Sequence, residues 1–347
     1  MAIDTEIMSQ SLNINTIHKS VLVVGGAGYI GSHTAKQLKK NGFTPVVVDR
    51  DIKSKPWATQ YGPAFEINLP RDIDLLDEII KRYNIDSCIH FAAYTRVGES
   101  VSDPSKYYLN NVVMTLRLLD KLRSLGVSKF VFSSSAATYG IPENGIANID
   151  AIPQPINPYG RTKFIVEEIL KDYFVAYNMR SVSLRYFNAS GADIDNEIGQ
   201  YETNEKFTHI IPVAIEAAKK ETVFKLYGTD FDTPDGSCVR DYIHVTDLAD
   251  GHIQSLLKIN DENICERYNL GTGIGISNLE ILSTIEKYVG PIKIVKSERR
   301  PGDPPSLIAD ISQTLKELNW KPKHSSIDNI IQTAVKWYNK TNSEKIN

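Results

Sequence analysis

The sequence has few cysteines, no long apolar run and little net charge. Only three of its 347 residues are cysteine, at positions 88, 238 and 265. An odd number at such wide spacing argues against a disulfide framework or a zinc cluster, so we predict a reducing cytoplasm and no metal site. No apolar stretch approaches the roughly 20 residues that span a bilayer. The polar segment 1–19 lacks the basic start and apolar stretch of a signal peptide. We therefore predict a flexible extension there, and no membrane contact.

The charge balance also excludes a class of partner. The chain carries 39 basic and 42 acidic residues, a formal net charge of −3. Without an overall basic field, nucleic acid is not an expected partner. Hydrophobic residues make up 41% and charged residues 23%, which is typical of a globular protein with a full core. The length corresponds to two domains, or to one domain with an attached lobe.

Short β-branched runs alternate with amphipathic stretches from Ser20 onward. Near-continuous apolar strands separated by helices are typical of a parallel sheet covered on both faces. We therefore predict an α/β fold: a doubly wound, Rossmann-type parallel sheet with a smaller C-terminal substrate-binding lobe. We assign 20–185 to the sheet domain, with about 239–258 returning to it, and 186–347 mainly to the lobe. The strands are predicted at 21–24, 45–48, 87–91, 129–132 and 181–185, and the helices at 32–41, 75–83, 110–125 and 159–177.

A glycine-rich turn lies between the first predicted strand and the first predicted helix. The run from Gly25 to Gly31 contains both G-x-G-x-x-G and G-x-x-G-x-x-G. Glycines at this place permit a tight turn and let the backbone approach a pyrophosphate, whose charge meets the helix N-terminus. The pattern alone is weak, because a tight turn without a ligand has the same glycines.

Asp49 makes a dinucleotide site more specific. It ends the second predicted strand about 20 residues after the turn, where an acid hydrogen-bonds the adenosine ribose of NAD. The adjacent Arg50 is able to pair with the 2′-phosphate of NADP, to stack on adenine or to stay solvated. Because the Asp49 carboxylate would repel that phosphate, we predict NAD as the cofactor.

Three residues form the predicted chemical site. Tyr159 and Lys163 are four apart, so in a helix both project from one face. An ammonium beside a phenol stabilises the phenolate, which would bring the tyrosine pKa from about 10 towards the working range of acid–base catalysis. Ser135 follows a predicted strand, where its hydroxyl can bond a substrate oxygen. A surface pair and a capped strand end are the alternative readings of the same residues.

Longer segments carry a resemblance to a known family. Gly-Gly-Ala-Gly-Tyr-Ile-Gly-Ser-His at 25–33, Asn-Pro-Tyr-Gly-Arg-Thr-Lys at 157–163 and Leu-Arg-Tyr-Phe-Asn at 184–188 are three of them. The run from Val239 to His252, with Arg-Asp-Tyr-Ile-His, is the most specific. From about Val21 to Trp320 the chain resembles the UDP-glucose 4-epimerase family, in the extended branch of the short-chain dehydrogenases/reductases. The resemblance implies an NAD-dependent isomerase of UDP-sugars that forms a homodimer, through helices around 110–125 and 159–177.

The resemblance also implies which residues bind the cofactor. Asn68 stands where the family usually has an Asp near adenine, so we expect a weakened contact there. Thr95 and Arg96 depart from some relatives and put local cofactor contacts in question. The expected cofactor residues are Gly25, Gly28, Tyr29, Ile30, Gly31, Asp49, Asn68, Leu69, Phe91, Ala92, Ala93, Asn110 and Phe187, with Ser135, Tyr159 and Lys163 from the chemical site.

The nucleotide-sugar residues follow from the same resemblance. Arg240 and Arg300 are expected to clamp the diphosphate, a task that suits the bidentate guanidinium; an ion pair on the surface is the alternative for each. Leu307 is expected to control the room for a 2-acetamido group. The expected substrate residues are Ser135, Tyr159, Asn188, Tyr227, Arg240, Tyr242, Arg300, Asp303 and Leu307.

The predicted reaction is 4-epimerisation of UDP-glucose and UDP-galactose through a transient 4-keto sugar, with Tyr159 as acid and base. UDP-N-acetylhexosamine or a UDP-pentose stays open as the substrate, and a non-catalytic NAD-binding relative stays open as the class. Ala136 and Ala137 argue against a nucleotide-sugar dehydratase or a UDP-glucuronate decarboxylase, which need acidic side chains at this point.

Overall fold

A computed structural model describes residues 19–200, 207–300 and 302–344. The predicted extension at 1–19 lies outside these residues apart from Lys19. Fourteen strands occur in the described part. In chain order β1 to β14 are Ser20–Val24, Thr44–Asp49, Ala64–Glu66, Ser87–His90, Lys129–Ser133, Ile146–Ala147, Arg180–Tyr186, Asn188–Ser190, Val223–Tyr227, Val239–His244, Cys265–Leu270, Gly275–Ser277, Lys293–Ser297 and Ser306–Ala309.

The helices alternate with the strands in the first half of the chain. A π-helical segment, Tyr108–Val113, joins two of them. In chain order α1 to α12 are Tyr29–Lys40, Leu69–Asp72, Leu76–Arg82, Val97–Ser102, Pro104–Tyr107, Met114–Ser124, Pro158–Tyr177, Ile210–Lys219, Val245–Asp261, Asn278–Val289, Ser312–Glu317 and Ile327–Glu344.

Seven parallel strands form the main sheet, which confirms the predicted fold class. Their order is β11-β7-β5-β4-β1-β2-β3, with β1 between β2 and β4. All five residues of β1 are buried, because helices cover both faces of the sheet. One layer of core packs α1 and α9 against the sheet, and the other packs α3, α6 and α7 against its opposite face. The carboxyl ends of β2, β1 and β4 therefore meet at one edge, where the glycine turn lies.

The C-terminal half builds a smaller lobe and also returns to the main sheet. Strands β12, β10, β14 and β6 form a mixed sheet with β8 beside β10, and β9 pairs with β13. A third core packs α8, α10 and α12 together. The return predicted at about 239–258 differs in its bounds: β10 belongs to the smaller sheet, whereas α9 packs on α1 and β11 extends the main sheet. In the described residues no helix is both long and apolar enough to cross a membrane.

Candidate active site

The glycine turn is as tight as its sequence predicts. Gly25 has φ +78°, and a Cβ there would lie 2.6 Å from the backbone nitrogen of Ala92. At Gly31 a Cβ would lie 2.4 Å from the Gly25 carbonyl oxygen. The first glycine thus lets the turn lie against the end of β4, and the last lets α1 pack onto the turn.

The start of α1 offers backbone donors at this turn. Gly28 is its N-cap and has no side-chain capping bond. The N–H of Ser32 makes the first helical bond, to the Gly28 carbonyl, so the N–H groups of Tyr29, Ile30 and Gly31 precede the helical ladder. The Tyr29 side chain points elsewhere, because its hydroxyl donates to the Gly191 carbonyl at 2.6 Å. These N–H groups and the helix dipole fit a pyrophosphate.

Asp49 ends β2 beside the turn, as predicted. Its carboxylate accepts from the backbone N–H of Ala27 at 3.1 Å and of Asp51 at 3.1 Å. The Lys55 ammonium lies 3.7 Å away, and only 9% of the Asp49 side chain is exposed. A fixed, negatively charged acceptor next to the pyrophosphate cradle fits an adenosine ribose better than a 2′-phosphate.

A cleft of about 210 Å³ passes over the ends of β2, β1 and β4. It collects most of the predicted cofactor residues. Asn68 lines it as the N-cap of α2, with its backbone N–H donating to Asp72. The other predicted cofactor residues do not line it: Tyr29, Ile30, Gly31, Ser135, Tyr159, Lys163 and Phe187. The predicted residues that line the cleft are Gly25, Gly28, Asp49, Asn68, Leu69, Phe91, Ala92, Ala93 and Asn110.

A second cavity of about 1080 Å³ lies between the main sheet and the lobe. It brings together six of the predicted substrate residues, which come from four separate parts of the chain. Asn278, Cys238 and Glu99 also line it and were not predicted. Thr95 and Arg96 line this cavity and not the cofactor cleft. The predicted residues in it are Asn188, Tyr227, Arg240, Tyr242, Arg300 and Asp303.

Arg240 and Arg300 are, in the described part of the chain, two of the five cationic residues that line this cavity, with Arg96, Lys220 and Lys225. Arg240 is held by the Val239 carbonyl at 2.8 Å, and its guanidinium lies 3.8 Å from the Asp303 carboxylate. The Arg300 guanidinium stacks 4.0 Å from the centroid of the Tyr227 ring. Cationic side chains beside an aromatic ring suit a diphosphate next to a nucleobase.

Leu307 does not line the second cavity. It packs against an apolar cluster that contains Ala136, Tyr139 and Phe187. Ala136 directly follows Ser135, and Phe187 is 7% exposed. The side chain therefore packs beside the residue that follows Ser135, and Leu307 pairs with Arg240 where β14 runs parallel to β10.

Tyr159 is buried and Ser135 is half-buried, and neither lines the cofactor cleft or the second cavity. Tyr159 is in the first turn of α7, and its backbone N–H donates to Ser100 at 3.2 Å. Ser100 belongs to α4, from which Val97, Gly98, Glu99 and Val101 line the second cavity. Burial raises the pKa of the Tyr159 phenol, and a hydrogen bond with Ser135 partly opposes that rise.

Lys163 differs from the expected picture in its contacts. Its ammonium donates to the Ser133 carbonyl at 2.6 Å and lies 5.9 Å from the Tyr159 ring centroid. Burial lowers its pKa to about 7, although the charge of Glu167 partly opposes this effect. The expected fall in the Tyr159 pKa is absent from the structure, because desolvation of the phenol outweighs the other effects.

A buried ion pair below Lys163 was not predicted. Glu167 accepts from the Arg185 guanidinium at 2.9 Å and from the Ser134 hydroxyl. Arg185 is fully buried and stacks 4.7 Å from the Tyr139 ring centroid. An arginine within a strand predicted to be buried, β7, was a usable signal, because a buried charge needs a partner.

Asn111, in the π-helical segment, connects the two sites. Its side-chain oxygen accepts from the Tyr94 N–H at 2.9 Å, and its amide donates to the Tyr94 carbonyl at 3.0 Å. The same amide donates to Thr162, whose hydroxyl donates to the Tyr159 carbonyl. One buried side chain thus fixes a wall of the cleft to the helix of Tyr159. Among the described residues no group of three His, Cys, Asp or Glu side chains is placed to hold a metal ion.

Comparison with known proteins gives the family. Residues 21–271 match the model of the NAD-dependent epimerase/dehydratase family. The chain is 44% identical to the UDP-glucose 4-epimerase of Rhizobium meliloti (strain 1021), over 94% of this chain and 98% of that protein.

Solved structures agree with this match. The UDP-glucose 4-epimerase of Brucella ovis in complex with NAD is 46% identical, with a TM-score of 0.86 over 91% of this chain and 97% of that one. The UDP-glucose 4-epimerase of Bifidobacterium longum in complex with NAD⁺ and UDP is 37% identical, with a TM-score of 0.86 over 93% and 99%. The chain therefore belongs to the NAD-dependent epimerase/dehydratase family.

Proposed function

We propose that this enzyme interconverts UDP-glucose and UDP-galactose by inverting C4 of the hexose. The observation that carries the proposal is that hydrogen bonds join Tyr159 to both cavities: through Thr162 and Asn111 to a wall of the dinucleotide cleft, and through Ser100 to the helix α4 of the cavity that holds Arg240 and Arg300. The family is NAD-dependent, and relatives that cover nearly the whole chain are UDP-glucose 4-epimerases. A nucleotide sugar held in the larger cavity would present its hexose to the buried tyrosine.

The cofactor cleft fits NAD. The N–H groups at the start of α1 would hold the pyrophosphate, the Asp49 carboxylate would accept from the ribose, and Asn68 would lie near the adenine. Held by these residues, NAD would supply reversible hydride transfer at C4 of the sugar. No net oxidation of the sugar results.

Tyr159 moves the proton in this proposal. Its phenolate removes the proton of the sugar 4-hydroxyl, and the phenol later returns it to the 4-keto oxygen. Ser135 bonds the same sugar oxygen and the phenol. The Lys163 ammonium supplies positive charge 5.9 Å from the ring centroid, which opposes the effect of burial on the phenol.

Tight binding of UDP lets the hexose rotate within the site while the nucleotide sugar stays bound. Arg240 and Arg300 hold the diphosphate, Tyr227 and Tyr242 pack near the uracil or its backbone surroundings, and Asp303 accepts from the uridine ribose. Asn188 contacts the diphosphate from the start of β8. Because these contacts all involve UDP, the 4-keto hexose is free to rotate and present its other face.

Rival functions make different demands on the same residues. A non-catalytic relative has no need of Tyr159 and Lys163, and both are present and buried. A dehydratase or decarboxylase has no acidic side chain at Ala136 or Ala137. UDP-N-acetylhexosamine and UDP-pentoses remain candidate substrates, and the size of Leu307 beside the chemical residues is the feature that bears on them.

We also propose which part of the chain binds each ligand, and that two chains assemble. Residues 20–185 with α9 and β11 hold NAD, and the rest of 186–347 holds the nucleotide sugar. The chain forms a homodimer through its helices around 110–125 and 159–177, where Leu109, Val113 and Val175 are exposed. All three cysteines are free, which supports a reducing cytoplasm. Light scattering tests the dimer; a monomeric mass contradicts it.

The function is tested with purified protein and UDP-galactose, without added cofactor. The expected result is UDP-glucose, separated by anion exchange. Tyr159→Phe should abolish turnover and leave NAD bound. Tyr173→Phe is the matched control, since it removes a hydroxyl from the same helix as Tyr159, one that bonds Asp120 of α6. If no UDP-glucose forms even with NAD added, the proposal is contradicted. If product forms only from UDP-N-acetylgalactosamine or a UDP-pentose, the reaction stands and the assigned substrate is wrong.

A further inference from the structure

Arg50 reaches across the cofactor cleft to Tyr94. Its guanidinium donates to the Tyr94 hydroxyl at 3.0 Å and lies 5.2 Å from the centroid of the ring. Both residues line the cleft. The two residues are 44 apart in sequence, so neither motif of the cofactor site predicts this contact.

The strand order shows what this contact spans. Arg50 directly follows β2, and Tyr94 follows β4 by four residues. In the sheet these strands lie on either side of β1, and the glycine turn follows β1. Neighbouring strands are about 4.8 Å apart, so the ends of β2 and β4 are separated by about 10 Å. A contact from one side to the other must pass over the turn where the pyrophosphate lies.

The Tyr94 end of the contact is firmly anchored. Asn111 bonds both its N–H and its carbonyl. The Lys106 ammonium lies 4.5 Å from the ring centroid, and the Tyr107 ring packs at 5.8 Å. The Arg50 end has fewer contacts within the fold, and its side chain is 52% exposed. Because only the Tyr94 end is anchored, we expect the contact to open by movement of the Arg50 side chain.

We propose that Arg50 and Tyr94 form a strap over the cleft, which slows the release of NAD and keeps Arg50 away from a 2′-phosphate. The second part follows from the charges around Asp49. Two cations flank it: Arg50 is occupied by Tyr94 and Asp51, and Lys55 lies near Asp49 and Asp51. Neither cation is left to attract the extra phosphate of NADP. The strap rests on the cofactor cleft and not on the sugar chemistry.

Release of NAD from the loaded protein measures the strap directly. The protein is saturated with NAD, excess is removed, and an NAD-specific dehydrogenase with its own substrate traps what dissociates. Loss of a half-exposed arginine–phenol hydrogen bond together with a cation–π contact should raise the rate of NAD dissociation by a factor of about 5 to 10. Arg50→Gln should therefore release NAD about 5- to 10-fold faster. Tyr94→Phe keeps the ring and loses the hydroxyl, so about 3-fold is expected.

Lys53→Gln is the matched control. It removes a positive charge from the same loop, but its side chain is 88% exposed and pairs with Glu66. It should release NAD at the wild-type rate. If Arg50→Gln and Tyr94→Phe also do so, the strap is refuted. In Tyr94→Phe the freed Arg50 should raise the affinity for NADP relative to NAD by about 3-fold; an unchanged ratio refutes the role in selectivity. Turnover is not measured, so either result is independent of the epimerase proposal.

Discussion

The buried ammonium of Lys163 should make the wild-type protein less stable near neutral pH than it is at alkaline pH. Its pKa falls from 10.5 to about 7, and the main cause is burial. The side chain belongs to a residue that is only 2% exposed, so solvent screening removes little of the effect. Unfolding returns the amine to water and restores its ordinary proton affinity. We predict that Lys163→Met stabilises the folded protein. The same substitution removes a residue of the proposed acid–base site.

The magnitude and the pH window follow from the two pKa values. Each factor of ten in proton binding is worth about 1.36 kcal/mol. The depressed pKa therefore costs the folded state about 4 kcal/mol at pH 7 and about 2 kcal/mol at pH 9. Below pH 7 the cost is complete and constant; it declines as pH rises through 7 and disappears above 10.5. The variant leaves the Ser133 carbonyl without its donor, which costs about 1–3 kcal/mol at every pH.

Thermal unfolding at two pH values tests this reasoning. For a chain of this size about 2 kcal/mol corresponds to about 3 °C. The melting temperature of Lys163→Met should exceed that of the wild type at pH 7, and the difference should shrink by about 3 °C at pH 9. NAD is kept in the same excess throughout. Lys171→Met, from an exposed lysine of the same helix, should give a difference that does not depend on pH. A constant difference for Lys163→Met would refute the reasoning.

Three other substitutions test the cofactor and substrate assignments. Asp49→Ala should weaken NAD binding about tenfold or more by calorimetry, since a charged acceptor for the ribose is lost; unaltered affinity would exclude Asp49 from cofactor selection. Gly31→Ala places a Cβ 2.4 Å from the Gly25 carbonyl oxygen, so the free energy of unfolding in urea should fall by about 1–3 kcal/mol. Gly98→Ala is the control, because a Cβ there meets open space, and it should leave the free energy of unfolding unchanged. Leu307→Gly should raise kcat/KM on UDP-N-acetylglucosamine about tenfold; no rise would place the control of acetamido groups elsewhere.

The main sheet was predictable where its strands are buried on both faces. Strands β1, β2, β4, β5 and β7 lie within one or two residues of their predicted bounds, because continuous apolar runs leave little choice of structure. The outer strands were missed. β3 has three residues, none of them buried, and β11 begins Cys-Glu-Arg with its first half partly exposed. An edge strand needs fewer apolar residues, so its pattern resembles that of a loop.

The site was predictable where its residues are close in sequence. The glycine turn, and the pair Tyr159 and Lys163, follow from local spacing alone. The contacts between Arg50 and Tyr94 and between Glu167 and Arg185 join distant segments, and a single sequence does not specify such pairs. The lowered pKa of Lys163 could not be predicted from the sequence either, because it depends on how completely the fold excludes water from the amine.

The π-helical segment Tyr108–Val113 holds one residue more in its wide turn than an α-helix would. Deleting one residue there would give an ordinary α-helical turn and leave the rotation of α6 almost unchanged, so Leu118, Leu119 and Leu122 would stay buried. The deletion would instead remove the bulge that carries Asn111, whose side chain bonds both Tyr94 and Thr162. The sheet domain can therefore lose the wide turn without unfolding, and the extra residue serves the connection between the cofactor cleft and the helix of Tyr159.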